Sequence, residues 1–310
     1  MKKNKNYPIS VILEKNFKNI LKIKKITGDA SERDYYRLFF SRYSLVAMVY
    51  KELEKEEISK IIRLTEIFKK NSINVPDVID KIDNRILIQE DLGDVSIQNY
   101  FRNSLNAEKE KVLLEISQIL LKLKGISSSL ISGSLDLKRM KWEIVFFLEH
   151  FIKKFFPLYD SVNYLRSEIF VQLEKIEKKS FFAHRDFHSR NMYYQKKRIY
   201  LIDFQDSLAA PEFYDLVSFS FDSYLDLKKR ELFFKFFTGN DTPDKEQIYL
   251  TAFQRNLKAL GTFGFQAFVK ENRTFMKYIN RTLKHIKNNP VLKEAPELEK
   301  ILFRNRGPVI

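Results

Sequence analysis

Residues 184–218 read HRDFHSRNMYYQKKRIYLIDFQDSLAAPEFYDLVS, and this stretch decides the fold. It holds two short runs with strand character, 192–194 and 199–203, on either side of the turn 195–198. The chain before and after it shows the apolar periods of helices. A polar loop and a hairpin that interrupt a helical region form the kind of place where functional side chains are concentrated.

The rest of the chain divides into a β-rich and a helical part. A short amphipathic helix is predicted at 7–21, two or three strands within 22–49, a helix at 53–71 and strands at 78–82 and 86–89. After residue 97 helical periods dominate, and the predicted helices are 97–103, 107–125, 138–155, 160–179, 213–223, 226–237, 243–260 and 273–288. The predicted fold class is α+β, with a small β-rich part before a larger helical one.

The composition excludes several kinds of protein. The 310 residues include no cysteine and four histidines, which excludes disulfides and thiolate sites and argues against a multi-histidine metal cage. No apolar run approaches the ~20 residues that span a bilayer, and residues 1–22 lack the apolar core of a signal peptide. We therefore expect a cytoplasmic protein without a membrane partner.

The net charge of +15 comes from lysines spread along the chain, so no specific nucleic-acid partner is expected.

The polar loop has the residue types that phosphoryl transfer from ATP requires. In its pattern H-x-D-x-x-x-x-N, Asp186 can accept the proton of an attacking hydroxyl. The side-chain oxygens of Asn191 and, after the hairpin, Asp203 are ligands that suit Mg²⁺. We therefore predict ATP and Mg²⁺ as cofactors, with Asp186 as the catalytic residue. His184 is predicted to be a scaffold residue, and Asp215 is predicted to brace the loop through backbone hydrogen bonds.

The stretch 184–218 resembles the aminoglycoside phosphotransferase superfamily, relatives of protein kinases that phosphorylate small molecules. Four further segments, 28–37 (GDASERDYYR), 44–48 (SLVAM), 90–93 (EDLG) and 254–261 (QRNLKALG), resemble one branch, the anomeric N-acetylmuramate/N-acetylglucosamine kinases of cell-wall recycling. The resemblance implies a two-lobed protein-kinase-like fold and transfer to the C1 hydroxyl of an amino sugar. It implies a nucleotide-binding N-lobe at 1–89, a hinge at 90–93 and a catalytic and acceptor-binding C-lobe at 94–310.

The remaining site residues follow from the same resemblance. The nucleotide is expected to contact a phosphate-covering turn, a strand arginine and the hinge, at Gly28, Asp29, Ala30, Ser31, Arg37, Gln89, Glu90 and Asp91. The acceptor is expected to contact polar and charged residues at His188, Arg190, Gln205, Asp206, Arg255 and Asn256. Protein kinases hold the phosphates with a lysine on their third strand. The predicted third strand of this chain has no lysine. Arg37 is the first candidate to replace it, and Arg33 and Lys51 are the others.

The charge of the acceptor region favours a neutral or anionic sugar. Residues 244–306 contain 13 Lys and Arg against 6 Asp and Glu, whereas a polycationic aminoglycoside needs an acidic cleft. We therefore predict an ATP-dependent kinase of N-acetylmuramate and/or N-acetylglucosamine. The alternatives are a kinase of choline, ethanolamine, homoserine or an aminoglycoside on the same fold, and a nucleotide-binding pseudokinase. The missing lysine suggests the pseudokinase, while retention of Asp186, Asn191 and Asp203 speaks against it.

Overall fold

The computed structural model describes residues 8–26, 33–239 and 241–304. Within its first ninety residues lies an antiparallel five-stranded sheet. Its strands are β1 (Lys22–Ile26), β2 (Asp34–Phe39), β3 (Ser44–Val49), β4 (Val78–Ile82) and β5 (Ile86–Glu90). They lie in the order β1-β2-β3-β5-β4. Alternate residues of β3, namely Leu45, Ala47 and Val49, join an apolar core with Leu13 of helix α1 (Ile9–Asn16). The strands predicted in this region are confirmed.

Helix α2 (Lys55–Lys70) connects β3 to β4. Its buried apolar side chains recur every three or four positions, as one face of an amphipathic helix requires: Ile58, Ile61, Leu64 and Phe68. Two glutamates in its first turn and two lysines in its last complement the helix dipole. The helix predicted at 53–71 is confirmed.

Helices dominate the chain after β5. They are α3 (Ile97–Asn103), α4 (Asn106–Gly125), α5 (Leu137–Phe147), α6 (Lys153–Phe155), α7 (Val162–Glu174), α8 (Tyr214–Ser220), α9 (Arg230–Thr238), α10 (Lys245–Phe268), α11 (Ile279–Lys287) and α12 (Pro296–Glu299). Four short strands are β6 (Ser180–Ala183), β7 (Met192–Gln195), β8 (Arg198–Leu201) and β9 (Leu208–Pro211). Strand β6 pairs with β9, and β7 with β8. The hairpin β7–β8 was predicted, but the β6–β9 pair was not.

The described chain forms two compact units. The first unit contains the residues up to Asp94 together with Tyr193–Gln205, and the second contains Val95–Met192 and the chain from Asp206 onward. In the parts of the chain that the structure describes, none of the helices combines the length and the apolar character needed to cross a bilayer. The assignment of nucleotide binding to 1–89, of a hinge to 90–93 and of catalysis to 94–310 stays a prediction.

Helix α10 continues through Gly261 and Gly264, past the end predicted at residue 260. A Cβ atom on Gly264 would lie 2.0 Å from the carbonyl oxygen of His150, and one on Gly261 would lie 2.7 Å from Cα of Phe147. Both neighbours belong to a continuous helical segment in which a π-helical turn, Leu148–Ile152, joins α5 to α6. The predicted end near residue 260 was wrong, because these glycines permit two helix backbones to approach each other.

The single tryptophan of the chain lies on α5. Trp142 is 62% exposed, and its ring stacks on that of Phe146 with the centroids 5.7 Å apart. On the other side of the same helix, Ile144 and Phe147 are fully buried in the core of the second unit. Helix α5 therefore has one face in the core and one in solvent.

Candidate active site

The polar loop that follows β6 is held by two carboxylates. Asp215 of α8 accepts hydrogen bonds from the backbone N–H groups of His184 at 2.6 Å and Arg185 at 3.0 Å. Asp222 accepts one from the N–H group of Ser189 at 2.9 Å. These bonds support a backbone in which Arg185 has a φ of +78°, which residues other than glycine rarely adopt. The predicted bracing role of Asp215 is confirmed.

The carboxyl groups of Asp215 and Asp186 have opposite electrostatic environments. Burial raises the pKa of Asp215 to about 7, although its two N–H donors oppose the change. Burial alone would also raise the pKa of Asp186. Three basic neighbours, Lys258, His188 and Arg185, outweigh that effect and hold this pKa well below its usual range. Asp186 is therefore ionised at neutral pH, as a group that receives a hydroxyl proton must be.

Lys258 was not among the predicted site residues. Its Nζ lies 3.4 Å from Oδ1 of Asp186, and the two side chains are only 18% and 25% exposed. It follows Arg255 by three positions on α10, so the helix places both residues on one side. That spacing, inside the segment 254–261, is the signal by which the sequence could have indicated Lys258.

The two predicted acceptor residues of α10 lie inside the second unit. Arg255 is 5% exposed, and its Nε donates to Oγ of Ser218 at 2.8 Å. Asn256 is fully buried, and neither polar atom of its side chain has a hydrogen-bond partner among the described residues. Contact of Arg255 or Asn256 with an acceptor stays a prediction.

Two predicted acceptor residues of the loop, His188 and Arg190, lie near Tyr224. The ring of His188 meets that of Tyr224 edge to face at a centroid distance of 4.9 Å, and the Arg190 guanidinium lies 4.8 Å from the same ring centre.

Asn191 donates its side-chain N–H to the backbone carbonyl of Asp186 at 3.0 Å. The loop thus uses the amide nitrogen of Asn191, and the amide oxygen is the atom left for a ligand.

Asp206 lies at the start of the chain's return into the second unit. Its Oδ1 lies 3.9 Å from Nη1 of Arg185, and the other terminal nitrogen of Arg185 lies 3.6 Å from the buried Glu143. Glu143 also accepts a hydrogen bond from Gln254 at 2.7 Å. The Arg185 charge is therefore shared between two carboxylates. The predicted contact of Asp206 with a sugar or a second metal ion stays a prediction.

Asp203, the second predicted metal ligand, belongs to the first unit and has a φ of +61°. Its Oδ1 accepts a hydrogen bond from Gln205 at 2.8 Å, and Nη2 of Arg33 lies 3.4 Å from the same oxygen. Nη1 of Arg33 lies 3.2 Å from Glu57 on α2. Gln205, predicted to contact the acceptor, thus orients Asp203, and its acceptor contact stays a prediction.

Arg37, the first candidate to replace the missing lysine, pairs with carboxylates beyond β5. Its Nε lies 2.7 Å from Asp91, and its Nη2 lies 2.9 Å from Asp94 and donates to the carbonyl of Gly93 at 3.1 Å. The structure therefore brings Arg33, and not Arg37, beside Asp203. A contact of Arg37 with nucleotide phosphates stays a prediction.

The predicted hinge residues have their backbone groups partly engaged. The N–H group of Glu90 donates to the carbonyl of Asp77 at 2.8 Å, and the carbonyl of Asp91 accepts from the Gln195 side chain at 3.0 Å. Gln89 is buried. The phosphate-turn residues Gly28, Asp29, Ala30 and Ser31 lie outside the described residues. The nucleotide contacts of the hinge and of the turn stay predictions.

The sequence is similar to those of known proteins. A model of the phosphotransferase enzyme family matches residues 22–232. The chain is 25% identical over 307 residues to the N-acetylmuramate/N-acetylglucosamine kinase of Neisseria meningitidis serogroup B, with 90% of each chain covered.

Solved structures resemble this one over almost its whole length. A spectinomycin phosphotransferase in complex with ADP and spectinomycin aligns with a TM-score of 0.66 at 15% identity, covering 94% of this chain and 98% of that one. The choline kinase of Streptococcus pneumoniae aligns with a TM-score of 0.65 at 15% identity, covering 90% and 99%. The predicted kinase-like α+β fold is confirmed.

Proposed function

Because this chain belongs to the phosphotransferase enzyme family, we propose that it transfers the γ-phosphoryl group of ATP to the anomeric hydroxyl of an N-acetylated amino sugar. N-acetylmuramate and N-acetylglucosamine are the proposed acceptors, and cell-wall recycling is the proposed context. The observation that carries the proposal is the contact between Asp186 and Lys258, which makes the surroundings of the proposed base positive. The relative from Neisseria meningitidis supports the same acceptors.

The proposed reaction is an in-line displacement at phosphorus. The C1 hydroxyl oxygen forms a bond to the γ-phosphorus while the bond from that phosphorus to the β–γ bridging oxygen breaks, and ADP leaves. The hydroxyl proton passes to the Asp186 carboxylate. A carboxylate with a depressed pKa is a weak base, but a loose phosphoryl-transfer transition state needs little deprotonation at its start. The main contribution of Asp186 is therefore to orient the hydroxyl.

Mg²⁺ is the proposed metal, and the available donors fit it. The amide oxygen of Asn191 and the carboxylate of Asp203 are hard oxygen ligands. The hydrogen bond that Asn191 donates to the Asp186 carbonyl leaves that amide oxygen for the metal. When bound, Mg²⁺ neutralises negative charge on the β- and γ-phosphates. For ATP itself, we propose adenine contacts at 89–91 and phosphate contacts at the turn 28–31.

The charge around Asp186 supports a neutral or anionic acceptor over a cationic one. An ammonium group placed beside Lys258 would be repelled by its charge. Aminoglycosides and choline carry such a group, whereas N-acetylglucosamine is neutral. The lactyl carboxylate of N-acetylmuramate would instead be attracted to a cation at this place.

A panel of acceptors tests the proposal. ADP release is measured with N-acetylmuramate, N-acetylglucosamine, choline and kanamycin, and the product is examined by ³¹P NMR. We expect sugar 1-phosphates from the two amino sugars. The methyl glycoside of N-acetylglucosamine, whose anomeric oxygen is blocked, is the matched control and should give no product. Activity with choline or kanamycin alone would contradict the sugar assignment, and no transfer to any acceptor would favour a pseudokinase.

A further inference from the structure

The third strand of the sheet lacks a cation where protein kinases have one. In those enzymes a β3 lysine binds the α- and β-phosphates and pairs with a glutamate of the following helix. Here Leu45, Ala47 and Val49 point into the core between the sheet and α1. Because side chains alternate along a strand, Val46 and Met48 face the other way. The position that a phosphate-binding lysine would occupy therefore carries the uncharged Met48.

Arg33 reaches this position from the place immediately before the neighbouring strand, β2. Tyr35 of β2 pairs with Met48 of β3 in the sheet register, and Arg33 stands directly before the first residue of β2. Nη1 of Arg33 lies 3.9 Å from the sulfur of Met48. The guanidinium is thus in contact with the side chain that stands in the lysine's place.

The carboxylates around Arg33 are those that such a lysine would meet. Glu57, in the first turn of α2, lies 3.2 Å from Nη1, and Asp203 lies 3.4 Å from Nη2. The Arg33 side chain is only 15% exposed, so it is held in place and not free in solvent. A guanidinium carries five N–H donors in a planar fork, so it can contact several oxygens at once.

We infer that Arg33 replaces the β3 lysine and binds the α- and β-phosphates of the nucleotide while Glu57 positions it. This inference rests on the proposed nucleotide-dependent transfer. In this interpretation, Arg33 supplies the positive charge that the β3 lysine supplies in protein kinases. The absence of that lysine then no longer favours a pseudokinase. Arginine is suited to the task because its planar fork binds phosphate oxygens in pairs.

Nucleotide titration of an Arg33→Gln variant tests the inference. Because hydrogen bonds to charged groups contribute about 1.5–3 kcal/mol, we expect MgADP to bind at least about tenfold more weakly than to the wild type. Adenosine, which has no phosphate, should bind to both equally. Lys25→Gln is the matched control: it removes one positive charge from the same sheet, at an exposed ion pair with Asp34, and should leave MgADP affinity unchanged.

A double variant separates phosphate binding from a structural role. Arg33→Gln with Met48→Lys returns a cation to the same place from β3, as in protein kinases, and should recover MgADP affinity. Far-UV circular dichroism confirms folding, and if Arg33→Gln alone does not fold, the double variant is compared with the wild type. Failure of the folded double variant to regain MgADP binding while it still binds adenosine would overturn the inference. Wild-type affinity for MgADP in Arg33→Gln would overturn it as well.

The acceptor panel distinguishes this inference from the proposed function. A wild-type protein that phosphorylates choline alone, together with an Arg33→Gln variant that loses MgADP, would contradict the sugar assignment and support Arg33. Phosphorylation of the amino sugars by the wild type, together with normal MgADP binding in Arg33→Gln, would support the sugar assignment and contradict the role of Arg33. A wild-type protein that binds no nucleotide would contradict both.

Discussion

The neighbours of Asp186 set both its strength as a base and the charge of its surroundings. Lys258 and Arg185 keep the carboxylate ionised, so in its proposed role it can accept a hydrogen bond from a hydroxyl but would hold a proton weakly. In an enzyme of this type most of the rate comes from position and electrostatics. Residues that place Asp186 should therefore be almost as important as Asp186 itself.

Replacement of Asp186 by asparagine should reduce kcat by about 10²–10⁴-fold, since the amide has nearly the same size but has no charged acceptor to orient the hydroxyl and take up its proton. The affinity for MgADP should remain close to that of the wild type. ADP-release assays give the first quantity and calorimetric titration the second. Unchanged turnover would mean that the base lies elsewhere.

Replacement of Lys258 by methionine should change acceptor preference. If its charge attracts the lactyl carboxylate, kcat/KM for N-acetylmuramate should fall by about 10–100-fold, and that for N-acetylglucosamine should fall less. Lys245, an exposed lysine at the start of the same helix, provides the matched Lys245→Met control and should behave as the wild type. An equal loss with both sugars would argue that Lys258 only orients Asp186.

Single residues could be predicted where their chemistry is local in the sequence. The roles proposed for Asp186 and Asn191, and the bracing by Asp215, follow from one short stretch and its spacing. Lys258 is indicated in the sequence only by its spacing from Arg255, and its contact with Asp186 depends on how α10 packs. The position of Arg33 depends on the register between β2 and β3.

Among the elements, the long periodic helices and the N-terminal strands were predictable, while the short and the unusual ones were not. Strand β6 has four residues and pairs with β9, which is distant in the sequence, so no local pattern indicates either. The helix was predicted to end at residue 260, before the two glycines of α10. Their role depends on the backbone of Phe147 and His150, and only the packed helices reveal it.

Replacement of Gly264 by alanine should destabilise the second unit by at least about 3 kcal/mol, because the new methyl group meets backbone that cannot move aside. Gly125, the last residue of α4, has no atom within 4 Å of the place of a Cβ. Gly125→Ala is therefore the matched control, and it should leave stability unchanged or raise it by up to about 1 kcal/mol. Equal urea midpoints for the two variants would contradict the close helix crossing.

The stability of the whole molecule should depend on pH through a buried histidine on α11. His285 is 7% exposed, and its ring lies 5.8 Å from that of Phe221. Burial, and after it the positive charges of Arg230 and Arg281, lower its pKa from 6.5 to about 4. A backbone hydrogen bond with Asp222 and the charge of Asp226 oppose the change.

Because the folded pKa is the lower one, the unfolded chain takes up this proton first as the pH falls. The contribution of His285 to stability is full above pH 6.5 and is lost as the pH falls towards 4. Between pH 7.5 and pH 5 the loss should be about 2 kcal/mol. Urea unfolding of the wild type and of His285→Gln at both pH values measures it. The same pH dependence in both proteins would show that other groups are responsible.

The position of Trp142 decides which optical signal can follow these experiments. Because the indole is largely in water in the folded protein, its emission maximum should already be close to that of the unfolded chain. Intrinsic tryptophan fluorescence would then report unfolding poorly. Conversely, a phenylalanine at position 142 would give a chain free of tryptophan, into which a single fluorophore could be introduced beside the nucleotide without background.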